Sequence, residues 1–162
     1  MKVRLLLKVN VDNFEDYESL VNYYQRAFES HRIRGDAGID MFSPDKHVIA
    51  PGEGFALDHK VGIRLQAIGD ASRYVPYIMM PRSSAGKQYL VLRNSIGLID
   101  SGYSGNLMGN FLYFGKLEHT IMKFARVCQI TTFGMHDIVE FKVVNMFDAS
   151  ERGEGGFGST GE

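Results

Sequence analysis

Apolar residues in this chain gather in short runs bounded by turn-forming residues, and no other feature limits the fold as much. Lys2 to Val9, Phe55 to Ile68, Tyr74 to Met80, Tyr89 to Ile99, Leu107 to Leu117, Ile121 to Phe133 and Ile138 to Met146 are rich in Val, Ile, Leu, Phe and Tyr. Clusters such as Pro51-Gly52-Glu53-Gly54 separate them. β-Branched and aromatic side chains suit a pleated, half-buried surface, while Gly, Pro, Asn and Asp supply turn backbone. Strands at this spacing, with no helices alternating between them, predict an all-β sandwich or jelly-roll-like barrel. With 162 residues, 44% hydrophobic and 12% aromatic, the chain can bury one core, which excludes global disorder.

One segment departs from this pattern. Phe14, Tyr17, Val21, Tyr24 and Phe28 recur at steps of three and four, the spacing of one helical face. Asp12 followed three residues later by Glu15 is a capping box, and Gly35 is available past the far end. The spacing predicts an amphipathic helix from Asn13 to about Ser30, inserted after the first strand with its aromatic stripe packed on the sheet. After Asp148 glycine dominates and Phe157 is the sole large apolar side chain. Such a stretch, 148–162, is expected to be a mobile arm appended to a β domain of residues 1–147.

Charge and cysteine content narrow the function. Eighteen Lys+Arg against 19 Asp+Glu leave a formal charge of −1, so there is no bulk basic field for gripping nucleic acid. A lone Cys128 excludes an intramolecular disulfide and a multi-thiolate zinc site. No apolar run approaches the roughly 18–20 residues that span a bilayer, and Met1 to Lys8 is too short for a signal peptide. The expected setting is intracellular, cytoplasmic or nuclear (or a host cell for a viral chain), with no nucleic-acid or membrane partner.

Several motifs fail on context. Gly153, Gly155 and Gly158 spell G-x-G-x-x-G, but a dinucleotide site needs a strand before it and a helix after it. Gly86-Lys87 lacks the upstream glycine of a phosphate-binding P-loop. The five histidines are scattered, and no serine stands in G-x-S-x-G.

Five stretches at strand ends hold the polar chemistry. Asp36-Ala37-Gly38-Ile39-Asp40 is the first. Pro81-Arg82-Ser83-Ser84-Ala85-Gly86-Lys87 offers a guanidinium, two hydroxyls and flexible backbone, an anion cradle in a loop. The run from Asn94 to Gly105 sets Asp100 and Tyr103 on a glycine-bounded turn. Arg126-Val127-Cys128-Gln129 puts two polar side chains in an apolar strand, and the tail from Arg152 to Gly161 is the fifth.

In order and spacing these stretches resemble the motifs of the trimeric deoxyuridine triphosphatase (dUTPase) family from Ala37 to Gly161, most specifically in Asn94-x-x-Gly97-Leu98-Ile99-Asp100-x-x-Tyr103-x-Gly105 and in the tail. The resemblance implies a jelly-roll or β-clip barrel, a homotrimer with sites at subunit interfaces, and Mg²⁺-dependent hydrolysis of dUTP to dUMP and pyrophosphate. It implies that Arg82, Ser83, Ser84, Gln129 and Arg152 meet the phosphates, with Gly158, Ser159 and Thr160 joining when the tail closes. Asp100 is the implied general base and Tyr103 the platform under the deoxyribose. Asn94, Gly97, Leu98, Ile99 and Met108 are implied around the uracil, Phe157 stacked on it, and Asp40 holding a water on the metal. Ser84 stands where the family usually has Gly, and Gly102 where it often has a second acid.

Two alternatives differ in class. A dCTP deaminase-like enzyme would need an acid near the base to shuttle protons, yet Asn106 to Phe114 contains no Asp or Glu. A non-catalytic, regulatory nucleotide-binding relative would act through the inserted helix, and Asp100 and Arg152 speak against it.

Overall fold

A computed structural model of the chain describes residues 1–148, and the expected arm from Ala149 onward lies outside the described residues. β1 (Lys2–Val9) leads into α1 (Phe14–Arg34). Then come β2 (Ile39–Phe42), β3 (His47–Ile49), β4 (Gly54–Asp58), β5 (Val61–Ala67), β6 (Tyr74–Val75) and β7 (Tyr77–Pro81). A short helix α2 (Ser83–Lys87) precedes β8 (Leu90–Leu92), β9 (Gly97–Ile99), β10 (Met108–Tyr113), β11 (His119–Ile121), β12 (Arg126–Thr132) and β13 (Asp137–Val143). The strands pair in the orders β13-β1-β5-β6, β4-β10-β8, β11-β3 and β2-β12-β7-β9, as the all-β reading expects. No helix among the described residues is long and apolar enough to cross a membrane.

Three of the expected strands are each divided by a local turn. Phe55 to Ile68 breaks at Asp58-His59-Lys60, where Asp58 Oδ1 accepts from the Lys60 amide at 2.7 Å and Lys60 takes a φ of 50°. Pro76 has no N–H to give a ladder and separates β6 from β7. Tyr89 to Ile99 breaks at Asn94-Ser95, with Ser95 at a φ of 63°.

The helix is longer than its apolar spacing predicts, running one turn further to Arg34. Gly35, at a φ of 71°, ends it by donating its N–H to His31 O at 3.1 Å. The cap is Asn13 and not Asp12: Asn13 Oδ1 accepts from the Asp16 amide at 2.7 Å. Both residues can cap and both have an acid three positions on, so the sequence holds two registers one residue apart. Leu20, Tyr24 and Phe28 are buried, Tyr24 edge-on to Phe42 at 5.2 Å and Phe28 stacked on Phe141 at 5.7 Å. Phe14, expected in the stripe, is 77% exposed because it is the first residue of the helix and lies beyond the sheet it packs on.

The core carries one imidazole that the sequence gives no reason to expect inside. His59 is fully buried, with Nδ1 donating to Phe42 O at 2.8 Å and Nε2 lacking a partner. Burial pushes its pKa down from 6.5 to about 4. The unfolded chain takes up this proton near pH 6.5 and the folded chain does not, so the contribution is intact above 6.5 and is lost as pH falls towards 4. Urea unfolding should therefore show stability falling by up to about 3 kcal/mol across that window. His59→Gln should flatten that part of the profile; an unchanged slope would rule the residue out as its source.

Candidate active site

β12 is paired by β2 on one edge and by β7 on the other, and Gln129 lies opposite both Asp40 and Met80. This register brings three of the polar stretches to one place. Asp40 comes from β2, Arg126 and Gln129 from β12, and Arg82 from the residue just past β7. The Asp40 carboxylate takes Arg82 Nε at 2.6 Å and Arg126 Nη1 at 3.0 Å. Gln129 Nε2 donates to Pro81 O at 3.4 Å. Gly38 is required by space, since a Cβ there would lie 2.8 Å from Gln129 Oε1 and 3.2 Å from Ile130 O. Arg82, Asp40 and Gln129 line a cavity of about 540 Å³ together with Tyr23, Arg26 and Ser30 of α1.

The segment expected as a loop after Pro81 is helical. Arg82 is extended (φ −71°, ψ 156°) and stands at the N-cap of α2, its amide donating to Val127 O at 2.9 Å. Buried Ala85 fixes α2 against the core, which sets Ser83 and Ser84 in the first turn beside Arg82. Pro followed by Arg-Ser-Ser reads as a turn by composition; packing of Ala85 makes it a helix.

Asp100 and Tyr103 lie elsewhere. They follow β9 on a turn in which the Tyr103 amide donates to Asp100 O at 3.1 Å and Tyr103 Oη donates to Asn106 O at 2.8 Å. Asp100 is exposed, Leu98 is 70% exposed, and the Asn94 side chain donates to Ile96 O at 3.4 Å. Gly97 and Ile99 are held in the ladder opposite Met79 and Tyr77. Tyr103 and Met108 line a second cavity of about 450 Å³ with Asp58 and Asn106. Arg152, Phe157, Gly158, Ser159 and Thr160 lie outside the described residues.

The two groups are kept apart by β7. Ile99 pairs with Tyr77, at the start of β7, and runs antiparallel to it, while Arg82 follows Pro81 at the other end. Asp100 and Arg82 are thus separated by the whole strand, about 20 Å at roughly 3.3 Å per residue. One copy of the chain does not bring the carboxylate to the guanidinium.

Arg64 holds the Asp100 turn, and sequence reasoning missed it. It is 2% exposed in β5, and donates to Tyr103 O at 3.3 Å, Gly102 O at 2.9 Å and Asp148 O at 2.8 Å. Its guanidinium also faces the rings of Tyr74 at 5.2 Å and Phe147 at 4.9 Å. In sequence Arg64 and Gln66 alternate with apolar residues, which reads as the outward face of a strand.

Comparison with known proteins gives the family. A family model of the dUTPases matches residues 28–161. The chain belongs to the dUTPase family. It is 34% identical over 149 residues to the deoxyuridine 5′-triphosphate nucleotidohydrolase of Methylobacillus flagellatus, covering 90% of this chain and 95% of that one. It is 40% identical over 130 residues to the corresponding protein of Bordetella pertussis, 78% of this chain and 83% of that one. The dUTPase of Staphylococcus bacteriophage 80alpha shares the fold, with a TM-score of 0.55 at 19% identity over 78% of this chain and 87% of that one. A second structure of that phage dUTPase, with dUPNHPP, gives a TM-score of 0.51 at 25% identity over 98% of each chain. By homology the chain is a dUTP diphosphatase, a hydrolase of nucleotide metabolism. The family match begins at Phe28, so most of α1 lies before it.

Arg64→Met keeps the apolar stem and strands the carbonyls of Gly102, Tyr103 and Asp148. A loss of about 2–4 kcal/mol in unfolding free energy is expected by denaturant titration. A loss under 0.5 kcal/mol would show that water replaces the guanidinium freely.

Proposed function

We propose that the chain hydrolyses dUTP to dUMP and pyrophosphate by attack of water on the α-phosphorus, at sites shared between copies of a homotrimer. The observation that carries this reading is the separation of the Asp100 turn from the Arg82 cavity along β7. Both are needed for phosphoryl chemistry, so the second group comes from a neighbouring copy, and closed symmetry repeats the junction at each interface.

Each residue then has a physical task. Arg82, Ser83, Ser84 and Gln129 offer donors to the phosphate oxygens. Asp100 takes a proton from the attacking water as its oxygen bonds to the α-phosphorus. The bond from that phosphorus to the bridging oxygen breaks, and pyrophosphate leaves with the electron pair. Tyr103, its hydroxyl tied to Asn106 O, presents a fixed ring to the deoxyribose and leaves no room for a 2′-hydroxyl. Asn94 and the backbone of Gly97, Leu98 and Ile99, with Met108, read the uracil. From the tail, Arg152, Gly158, Ser159 and Thr160 bind the γ-phosphate and Phe157 covers the base.

The residues present fit Mg²⁺. Asp40 is a carboxylate in the phosphate cavity, already flanked by two guanidiniums. No group of three ligating side chains occurs among the described residues, so the ion would be held by substrate phosphates and a water on Asp40. When bound it supplies positive charge against the phosphate oxygens.

Two experiments test the shared site and its chemistry. Asp100→Asn should lower turnover by about 10²–10⁴-fold with little change in nucleotide binding. Arg82→Ala alone should be nearly inactive as well. Unfolded together and refolded as a mixture, the two should regain roughly a quarter of wild-type activity, because one junction in four joins an intact Asp100 to an intact Arg82. A mixture no more active than its components would mean that each site lies within one chain. For the sugar, Tyr103→Ala should narrow the preference for dUTP over UTP, as seen in the ratio of kcat/KM values; an unchanged ratio would refute that role.

A further inference from the structure

We propose that α1 completes the phosphate cavity, and that Arg26 binds the terminal phosphates of the nucleotide and the pyrophosphate released from it. This rests on the reading above that the Arg82 cavity receives the triphosphate. Tyr23, Arg26 and Ser30 are three and four residues apart, so they share one helical face, and all three line the cavity with Arg82 and Gln129.

The helix is fastened where it meets the site. Tyr23 lies against Phe42 at 5.1 Å and Phe124 at 4.6 Å, and Asp16 pairs with Lys123. Ser30 Oγ donates to Asp36 Oδ2 at 3.3 Å. Phe124 holds a φ of 63°, a strained conformation for a bulky residue, and the Tyr23 ring packs on it there. The wall that carries Arg26 is therefore placed by contacts on both sides of the cavity.

Charge singles out Arg26. Arg82 and Arg126 both pair with Asp40, whereas Arg26 makes no ion pair among the described residues. It is an exposed guanidinium lining a cavity in which Arg82 and Arg126 share the single Asp40 carboxylate and Asp36 accepts from Ser30, so cationic charge exceeds anionic charge. An anion entering there meets an uncompensated partner of matching fork geometry. Arg26 lines the cavity from α1 while Arg82 and Gln129 line it from the end of β7 and from β12, and on this proposal the distal phosphates of the triphosphate lie between them. Contacts of that kind act alike on ground state and transition state, and so they change KM more than kcat.

Arg26→Gln should raise KM for dUTP about tenfold and weaken inhibition by pyrophosphate by a similar factor, with kcat changed far less. Inhibition by dUMP, which has no β- or γ-phosphate, should stay as in wild type. Arg26→Lys should recover part of the loss. Arg34→Gln removes the same charge from the same helix outside the cavity and should leave KM in place. An Arg26→Gln enzyme with wild-type KM and pyrophosphate inhibition would overturn the proposal. So would equal weakening of dUMP and pyrophosphate inhibition, or an equal effect from Arg34→Gln. Binding of inorganic tripolyphosphate by calorimetry separates the two readings. If wild type does not convert dUTP, the proposed function fails. Weaker tripolyphosphate binding by Arg26→Gln still supports the anion site, and unchanged binding overturns it.

Discussion

Both edges of β7 are occupied by antiparallel partners, and the candidate site follows from that double ladder. β12 on one side and β9 on the other must both run against β7, so each delivers its polar residues at a height set by hydrogen-bond register. Gln129 arrives level with Met80, near the end that continues into Arg82. Asp100 arrives beyond Tyr77, at the opposite end. No rotamer change closes a gap of a full strand. The separation of Asp100 from Arg82 within one chain is thus a matter of backbone pairing, prior to any side-chain chemistry.

The turn that carries Asp100 depends on a different device. A buried cation is costly when isolated, and the carbonyl dipoles of Gly102, Tyr103 and Asp148 and two ring faces are among the groups that meet Arg64. Five donors in a fixed planar fork bind several carbonyls in set directions, whereas a lysine offers three around a point charge. The same guanidinium touches the backbone next to Asp100 and the last described residue, Asp148.

Much of this was legible in the sequence, and the misses have physical causes. The α1 periodicity and Gly35 located the helix, while its cap slipped by one residue because Asp12 and Asn13 offer equivalent chemistry. Single turn residues, Lys60 and Ser95 at positive φ, divide apolar runs that look continuous. The helical form of Ser83–Lys87 depends on burial of Ala85, a tertiary fact. Asp40, Arg82 and Gln129 stand in separate stretches of the sequence, and the register of β12 brings them together. Arg64 was hidden because alternation marks one face as outward, and β5 is buried on both. Arg26 was hidden because helical spacing identifies a face without saying what stands opposite it.

The pairing of β1 with β13 has a consequence for synthesis. These are the first and last strands among the described residues, and they lie parallel, Leu5 beside Phe141 and Leu7 beside Val143. β1 can bind β5 as soon as Val61 to Ala67 leaves the ribosome, but its other edge waits for Asp137 to Val143. For most of translation, the run Leu5-Leu6-Leu7 sits beside an unpaired strand edge, the kind of template on which other chains stack. At about 5–20 residues per second that interval lasts several seconds. A nascent chain of this topology therefore has its period of greatest risk before its last strand emerges, and chaperone demand should track elongation rate more than final stability.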